Sequence, residues 1–243
     1  MSTSTPSEGF MKKWGFLIFA TALILGVVVS SLFSFGRLGG KFTNFSLKVG
    51  SVKGSGQTGT EVRELNGFSK IDASGVFQVE IVAQKDFSVE VEADDNLLEF
   101  IKTEVRHGAL HLETTRKLST SNPIRVRISA PDIEAIESSG AANIVVTGLN
   151  NAGLEIESSG ASKIKVAGET AKLIVDVSGA TRVDAEGLSA ENANIEASGA
   201  STVELLVNGN LRTNASGAST IRYSGSPTDV VKKASGASTV APK

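Results

Sequence analysis

Residues 136–203 decide the fold, and they read IESSGAANIVVTGLNNAGLEIESSGASKIKVAGETAKLIVDVSGATRVDAEGLSAENANIEASGASTV. The tripeptide Ser-Gly-Ala recurs within this stretch and beyond it, and successive glycines of the motif lie 18–20 residues apart. A period of this length is typical of repeat proteins in which each unit forms one coil of a stack. The six motif glycines are Gly140, Gly160, Gly179, Gly199, Gly217 and Gly236.

Apolar residues alternate with polar ones on both sides of each motif glycine. A β-branched residue stands four positions after every motif glycine, and another stands four positions before each of the first four glycines. Alternation with a period of two indicates β-strands that bury one face. The residues after the glycines are Ile144, Ile164, Val183, Val203, Ile221 and Val240, and those before them are Ile136, Ile156, Val175 and Ile195.

The repeat over residues 132–243 predicts an all-β fold, a right-handed parallel β-helix or β-solenoid of about six coils of about 19 residues each. Each coil reads as strand, Ser-Gly-Ala corner, strand and a second glycine turn, as at Gly148 and Gly168. We expect the right-handed sense because crossover connections between parallel strands follow the strand twist. An antiparallel meander and a β-prism are the alternatives.

The serine before each motif glycine is interpreted as a structural corner residue and not as a nucleophile, because six identical serines occupy six equivalent corners. Its hydroxyl can bond neighbouring backbone groups or the serine of the next coil. The predicted corner residues are Ser139, Gly140, Ser159, Gly160, Ser178, Gly179, Ser198, Gly199, Ser216, Gly217, Ser235 and Gly236.

Residues 60–131 predict an irregular, β-rich cap on the N-terminal end of the stack. Within them, residues 68–81 repeat the coil template and predict an early coil. A cap is expected because exposed strand edges invite pairing with other chains. The other predicted elements are strands at 87–93 and 124–130, a short helix at 94–100 and a hairpin turn at Gly108.

Residues 14–35 contain no charge, and a helix of this length crosses a bilayer core at about 1.5 Å rise per residue. We expect an uncleaved, single-pass membrane anchor; a cleaved signal peptide and a buried helix are the alternatives. Lys12 and Lys13 favour a cytoplasmic location for residues 1–13. The glycine-rich residues 36–59 predict a flexible linker. The head domain is therefore expected outside the cytoplasm, in the periplasm or on the cell surface.

The composition argues against several classes of function. The formal net charge is −2, which does not suit a nucleic-acid binder, and the lack of cysteine excludes disulfides and thiolate metal sites. One Trp and one Tyr leave few aromatic platforms for a sugar-binding cleft. No nucleotide-binding or nucleophile motif is present, so no cofactor is predicted. His107 and His111 flank Gly108 and are interpreted as exposed turn residues.

Acidic residues recur three positions before the motif glycines. They alternate along the strand with the buried residues and therefore point to the opposite face. In a solenoid they should face solvent in one row, with a spacing of about 4.8 Å between adjacent coils. We interpret the row as a solvated face; the alternative is a ladder that binds cations or a basic surface, because a divalent cation relieves repulsion between close carboxylates. The row is Glu137, Glu157, Asp176 and Glu196, and basic residues occur on the other strand at Lys163, Lys165, Arg182 and Arg222.

The order of these features resembles a known family. NGFSKI at 66–71 and Ser74-Gly75 come first, and VEVEADDNLLEFI at 89–101, IRVRISAPDIEAIESSGA at 124–141 and the serial corners follow. This order is similar to that of the head GIN domain family of putative auto-transporter adhesins, over about residues 60–240. The resemblance implies a β-helical envelope protein and supplies no catalytic residues.

Three functions fit these observations. The favoured one is a membrane-anchored, non-catalytic, adhesin-like interaction module of the cell envelope with an unidentified envelope or surface partner. The second is a self-assembling scaffold, a homo-oligomer whose open solenoid ends pair between copies. The third is a polysaccharide-active enzyme, which the short and uniform coils disfavour because catalytic carboxylates need distinct environments. The sequence therefore predicts a protein that is not an enzyme.

Overall fold

A computed structural model describes residues 50–243, which form nineteen strands and one short 3-10 helix at Asp95–Phe100. The strands before the repeat are β1 (Val52–Lys53), β2 (Thr58–Arg63), β3 (Lys70–Ser74), β4 (Gln78–Ala83), β5 (Ser88–Asp94), β6 (Ile101–Arg106), β7 (Ala109–Thr114), β8 (Leu118–Ser119) and β9 (Arg125–Ala130). The strands of the repeat are β10 (Ala135–Ser138), β11 (Asn143–Asn151), β12 (Leu154–Ser158), β13 (Lys163–Val177), β14 (Arg182–Ala197), β15 (Thr202–Val207), β16 (Asn210–Ala215), β17 (Thr220–Ser224), β18 (Asp229–Ala234) and β19 (Thr239–Pro242).

The repeat forms a parallel stack, because each of its strands pairs with the strand one coil later. On the side before the motif glycine, Ile136 of β10 pairs with Ile156 of β12, which pairs with Val175 of β13. On the side after the glycine, Ile144 of β11 pairs with Ile164 of β13. The predicted β-solenoid is confirmed, with about five turns joining the six corners, whereas the right-handed sense stays a prediction.

The second glycine turn is more continuous than the sequence suggested. β13 and β14 run through Gly168 and Gly187 without a break, and the register between the two strands shifts between Lys165 and Ala167. A bulge of this kind bends a strand while most of its backbone hydrogen bonds survive. In these two neighbouring coils, one long strand each passes through the glycine turn and continues on both sides of it.

Aliphatic side chains form one continuous core along the stack. The β-branched residues four positions after the motif glycines are fully buried from Ile144 to Ile221. In the last coil, Val240 is only half-buried because no further coil covers it within residues 50–243. Each fully buried Val or Ile contributes about 1.5–3 kcal/mol relative to an exposed one, so the inner coils are stabilised more than the last one.

The motif glycines are required by the coil that lies beneath each of them. A Cβ atom on Gly160 would lie 2.0 Å from the carbonyl oxygen of Gly140, and one on Gly199 would lie 2.6 Å from the carbonyl oxygen of Gly179. Gly199 also has a φ of +72°, which is unfavourable for any residue with a side chain. The corner backbones thus stack in direct contact.

The region before the repeat is confirmed as β-rich, but its strands stack out of chain order. β3 and β4 form the predicted early coil, and they pair in parallel with β10 and β11 on one side. On their other side they pair in parallel with β7 and β9, which come later in the chain. β6 pairs antiparallel with β7, and β5 and β2 extend the sheet antiparallel from β9.

Residues 50–59 belong to the predicted flexible linker 36–59, but strands are present in them. β1 pairs with β8, and β2 starts at Thr58 and pairs with β5. Gly54 between them is buried against the carboxylate of Asp94. The end of the glycine-rich stretch is therefore ordered by contacts with distant residues, which no local sequence pattern predicts.

The predicted cytoplasmic segment 1–13 and the membrane anchor 14–35 lie outside the described residues, as does most of the linker. Within residues 50–243, no helix is long and apolar enough to cross a membrane.

Candidate interaction surface

The acidic residues predicted from the repeat do form one row. Backbone pairing places Glu137 beside Glu157, Glu157 beside Asp176, and Asp176 beside Glu196. Asp72 of the early coil extends the row because it pairs with Glu137. This fifth acid was not predicted, although it stands three positions before Gly75, as the other acids do before their glycines.

A concave hollow of about 350 Å³ lies along this row, between the acids and the corner serines. We call it the acid–serine trough. It is lined by Asp72, Ser74, Glu137, Ser138, Ser139, Glu157, Ser158, Ser159, Asp176 and Ser178. All of its lining groups are carboxylates or hydroxyls, so the trough offers mainly hydrogen-bond acceptors and negative charge.

Of the five acids in the row, only Asp72 lies within ion-pair distance of a basic group, His111, within residues 50–243. Glu137, Glu157, Asp176 and Glu196 form no ion pair within residues 50–243. The pKa of Glu157 is raised, first because the trough walls partly desolvate its carboxylate and then because Glu155, Glu137 and Asp176 repel its charge. A cationic ligand would relieve this repulsion.

Each end of the row carries a different kind of side chain. At the N-terminal end, Nδ1 of His111 lies 2.8 Å from Oδ2 of Asp72. The prediction of an exposed turn residue was wrong for His111, which is half-buried in β7. At the other end, Glu196 pairs with Asn214, and Asn214 pairs with Lys233. The acidic stretch is therefore bounded, with a histidine at one end and a lysine at the other.

The predicted cation ladder stays a prediction. Among residues 50–243, no group of three His, Cys, Asp or Glu side chains lies close enough together to hold a metal ion. Because neighbouring acids are separated by a full coil spacing of about 4.8 Å, their side chains would have to converge before they could share an ion.

The basic residues on the other strand belong to a different kind of surface. Nζ of Lys165 lies 3.4 Å from Oδ2 of Asp184, and Nη2 of Arg182 lies 2.6 Å from Oε2 of Glu204. Both groups have an acidic partner on the adjacent coil, whereas Lys163 and Arg222 form no ion pair within residues 50–243. Ion pairs thus occur on this strand, whereas the acids from Glu137 to Glu196 form none within residues 50–243.

The predicted corner serines line the outside of the corner, with only partial bonding between coils. Oγ of Ser74 lies 2.8 Å from Oγ of Ser139, as expected for a serine ladder. Ser139 and Ser159 are exposed, and Ser178, Ser198 and Ser216 are half-buried. These hydroxyls are available to a ligand along much of the corner.

A second set of hydroxyls lies inside the corners, two positions after every motif glycine except Gly140, where Ala142 stands. Ser201 and Ser219 are buried, and each donates to the carbonyl oxygen three residues earlier, at 2.8 Å. Ser162 lies 2.7 Å from the hydroxyl of Ser138, and Thr181 lies 2.9 Å from that of Ser158. The sequence analysis did not single out this set, although the motif continues as Ser-Gly-Ala-Ser or Ser-Gly-Ala-Thr.

Comparison with known proteins identifies the class. The family described as putative auto-transporter adhesin, head GIN domain, matches residues 67–227. This match spans more than half of the chain, so the chain belongs to that family, as the sequence resemblance indicated. No curated protein matches the chain.

Solved structures share the fold. A putative adhesin from Bacteroides fragilis is 18% identical, with a TM-score of 0.65, and the match covers 79% of this chain and 100% of that one. A putative adhesin from Parabacteroides merdae is 19% identical, with a TM-score of 0.50, and covers 79% of this chain and 99% of its own. At these identities the likeness establishes the β-solenoid alone.

Proposed function

We propose that this protein is a non-catalytic, adhesin-like interaction module of the cell envelope and that the acid–serine trough is its contact surface for a cationic partner. One observation carries the proposal: the trough holds in-register carboxylates on successive coils, and none of Glu137, Glu157 and Asp176 has a basic partner within residues 50–243. The family, described as putative adhesins, supports the same role.

Rigidity supports this use of the trough. Every acid sits on a strand that is hydrogen-bonded to the coils on both sides, so little backbone order has to be gained on binding. A partner that carries several lysines or arginines would meet several carboxylates at a regular spacing. In this proposal, residues 14–35 anchor the head domain to a membrane and keep it outside the cytoplasm.

The proposal is tested with the full chain in detergent micelles and a fluorescent lysine-rich peptide as the probe. The variant Glu137→Gln, Glu157→Gln, Asp176→Asn removes three charges from the trough. Each exposed ion pair contributes up to about 1 kcal/mol, so we expect the affinity for the peptide to fall about tenfold or more. Fluorescence anisotropy at low and high salt measures this change, and salt should weaken the binding of the unmodified chain.

A matched control removes the same charge elsewhere through Glu64→Gln, Glu99→Gln and Asp229→Asn, which change exposed acids outside the trough. The control should retain the affinity of the unmodified chain. Equal weakening in both variants would show a mere effect of net charge and would overturn the proposal, as would no binding by the unmodified chain. Calorimetric titration with calcium tests in parallel whether the acidic row binds cations. The absence of heat would exclude the cation ladder.

A self-assembling scaffold is the second candidate because of one feature of the last coil. β18 pairs only with β16 and β19 only with β17 within residues 50–243, so one edge of each is unpaired there. An unpaired edge is a template for another chain. Lys232 and Lys233 in β18 oppose such pairing between copies, which makes the scaffold the weaker candidate.

A further inference from the structure

A second hollow, of about 400 Å³, lies at the glycine-turn side of the coils and shares no residue with the acid–serine trough. We call it the amide groove. It is lined by Asn150, Asn151, Glu169, Thr170, Ala171, Ser189, Glu191 and Asn208. These residues belong to successive coils that follow the bend of the long strands β13 and β14.

In-register polar side chains form the walls of the groove. Asn150 pairs with Glu169, and Glu169 pairs with Ser189, so three coils each contribute one polar residue to the same row. Ala171 lies between the paired positions 170 and 172, level with Glu191 of the next coil. Since alanine has only a Cβ atom, it leaves space where the next coil carries a long side chain.

The floor of the groove is held in place by hydrogen bonds. Nδ2 of Asn151 donates to the carbonyl oxygen of Ile133 at 2.8 Å, and the Thr170 hydroxyl donates to Oδ1 of Asn151, also at 2.8 Å. Thr170 is buried. These bonds fix the asparagine orientation, so the groove is formed before any ligand arrives.

The rim is free to bond a ligand. Asn150, Glu169 and Glu191 are exposed, and no side-chain hydrogen bond or ion pair within residues 50–243 uses their amide or carboxylate groups. An amide offers two donors and an acceptor, and a carboxylate offers acceptors only. The rim thus presents donors and acceptors side by side on a rigid backbone.

These groups favour a polar, uncharged ligand, because five of the eight lining residues carry neutral amides or hydroxyls. No large apolar side chain lines the groove, so an apolar ligand would find no partner there. Two carboxylates oppose an anionic ligand. Neighbouring hydroxyl groups of an uncharged sugar need donors and acceptors together, and the coil repeat of about 4.8 Å offers equivalent groups again along a polymer.

We propose that the amide groove binds a neutral, hydroxyl-rich glycan chain that lies along the stack. Recognition rests on hydrogen bonds and not on stacking, because no aromatic residue lines the groove. The affinity of one groove is therefore expected to be on the order of millimolar. The inference uses a different face from the trough, and it rests on the proposed role as an interaction module.

Affinity gel electrophoresis of the full chain, in a sugar-free zwitterionic detergent, tests the inference. The probes are four soluble neutral glycans (laminarin, dextran, mannan and galactan) and one acidic glycan, polygalacturonate. We expect at least one neutral glycan to retard the protein and polygalacturonate to leave its mobility unchanged. Retardation by none of the neutral glycans, or an equal effect of polygalacturonate, would overturn the inference.

Two variants locate the binding. Ala171→Arg fills the hollow and should weaken glycan binding about tenfold or more, whereas Ala218→Arg adds the same side chain at an exposed corner outside the groove and should not. Equal melting temperatures show that both variants fold. Equal loss of glycan binding in both variants would rule the groove out. If no glycan bound and Ala171→Arg abolished binding of the lysine-rich peptide, the ligand of the groove would be a basic partner instead.

The trough variant separates this inference from the proposed function. Glu137→Gln, Glu157→Gln, Asp176→Asn should retain glycan binding, because none of these residues lines the amide groove. Peptide binding without glycan binding would refute the groove and leave the trough intact. Glycan binding without peptide binding would do the reverse.

Discussion

At the scale of single residues, the corners are governed by how closely the coils approach. Each motif glycine lies directly over the glycine of the preceding coil, at a distance that leaves no room for a Cβ atom. The hydroxyl two positions later satisfies a carbonyl group inside the bend, as Ser219 does for Ser216. A buried polar group left without a partner costs about 1–3 kcal/mol, which favours a hydroxyl at this place. The first corner has Ala142 there instead, and the Ser162 hydroxyl of the next coil accepts from its backbone N–H at 3.2 Å.

The glycine requirement is tested with Gly199→Ala. Its Cβ would lie 2.6 Å from the carbonyl oxygen of Gly179, and its φ of +72° disfavours alanine. We expect the free energy of unfolding to fall by about 2 kcal/mol or more, since the left-handed conformation alone costs about 1–2 kcal/mol. Urea unfolding followed by circular dichroism measures the change.

Gly153→Ala is the matched control for this prediction. The nearest atom to its Cβ would be the carbonyl oxygen of Lys172, at 3.7 Å, which is an ordinary contact. This substitution should leave stability unchanged or raise it by up to about 1 kcal/mol, because alanine reduces the entropy of the unfolded chain. Equal destabilisation by both substitutions would contradict the stacking explanation.

At the scale of elements, a buried carboxylate joins the segments around the cap. Asp94, at the end of β5, is fully buried. It accepts hydrogen bonds from the backbone N–H of Ser121 at 2.8 Å and from Nδ2 of Asn122 at 2.7 Å. Gly54 packs against the same carboxylate, so one side chain holds the N-terminal strands and the loop before β9 together.

This carboxylate predicts how stability depends on pH. The backbone N–H of Ser121, followed by the side chain of Asn122, lowers the pKa of Asp94 despite its burial. The folded state therefore favours the ionised form. The stabilisation is fully present above the ordinary pKa of aspartate, about 3.9, and is lost as the pH falls through the lower pKa of the folded state.

Asp94→Asn should remove this dependence. We expect a lower melting temperature than that of the unmodified chain at pH 7 and a smaller difference between the two proteins below about pH 4. Thermal unfolding between about pH 2 and pH 7 measures both. Asp229→Asn, which changes an exposed acid in β18, is the control and should keep the acid-dependent loss. A constant difference between Asp94→Asn and the unmodified chain at all pH values would contradict the assignment.

At the scale of the whole described region, the two ends of the stack are built differently. The N-terminal end carries antiparallel strands, β2, β5 and β6, outside the parallel coils. At the other end, Lys232 lies over the ring of Tyr223 at 4.8 Å, and most of β18 is exposed. Lysines on an edge strand oppose the approach of another edge. The positive charge at this end therefore opposes strand pairing between copies of the protein, and we call it the charge guard.

The charge guard is tested by the mass of the full chain in detergent micelles. We expect the mass of the unmodified chain to stay constant with concentration. Lys232→Thr with Lys233→Thr should cause a concentration-dependent rise, because repulsion at the edge is removed. Light scattering corrected for detergent measures the mass, and Lys70→Thr with Lys163→Thr is the control of equal charge. A rising mass of the unmodified chain would favour the self-assembling scaffold over the single-copy module.

Repeated local patterns in the sequence predicted most of the solenoid. The Ser-Gly-Ala motif and its period recur in every coil, and an acid stands three positions before each of the first four motif glycines, so these patterns predict the all-β solenoid, its corners and the row from Glu137 to Glu196. The helix at 95–100 and the hairpin at Gly108 also followed from local signals, namely acidic residues at a helix start and a turn glycine.

Features that depend on contacts between distant residues are set by the tertiary packing and could not be predicted from local patterns. The placement of β7 and β9 outside β3 and β4, the ordering of Gly54 by Asp94 and the bond between His111 and Asp72 join segments about 40 residues apart. The packing of the whole cap determines which of these contacts form. A local sequence alone is compatible with several different arrangements of such contacts. The amide groove has the same origin, because its shape depends on which side chains of successive coils come into register.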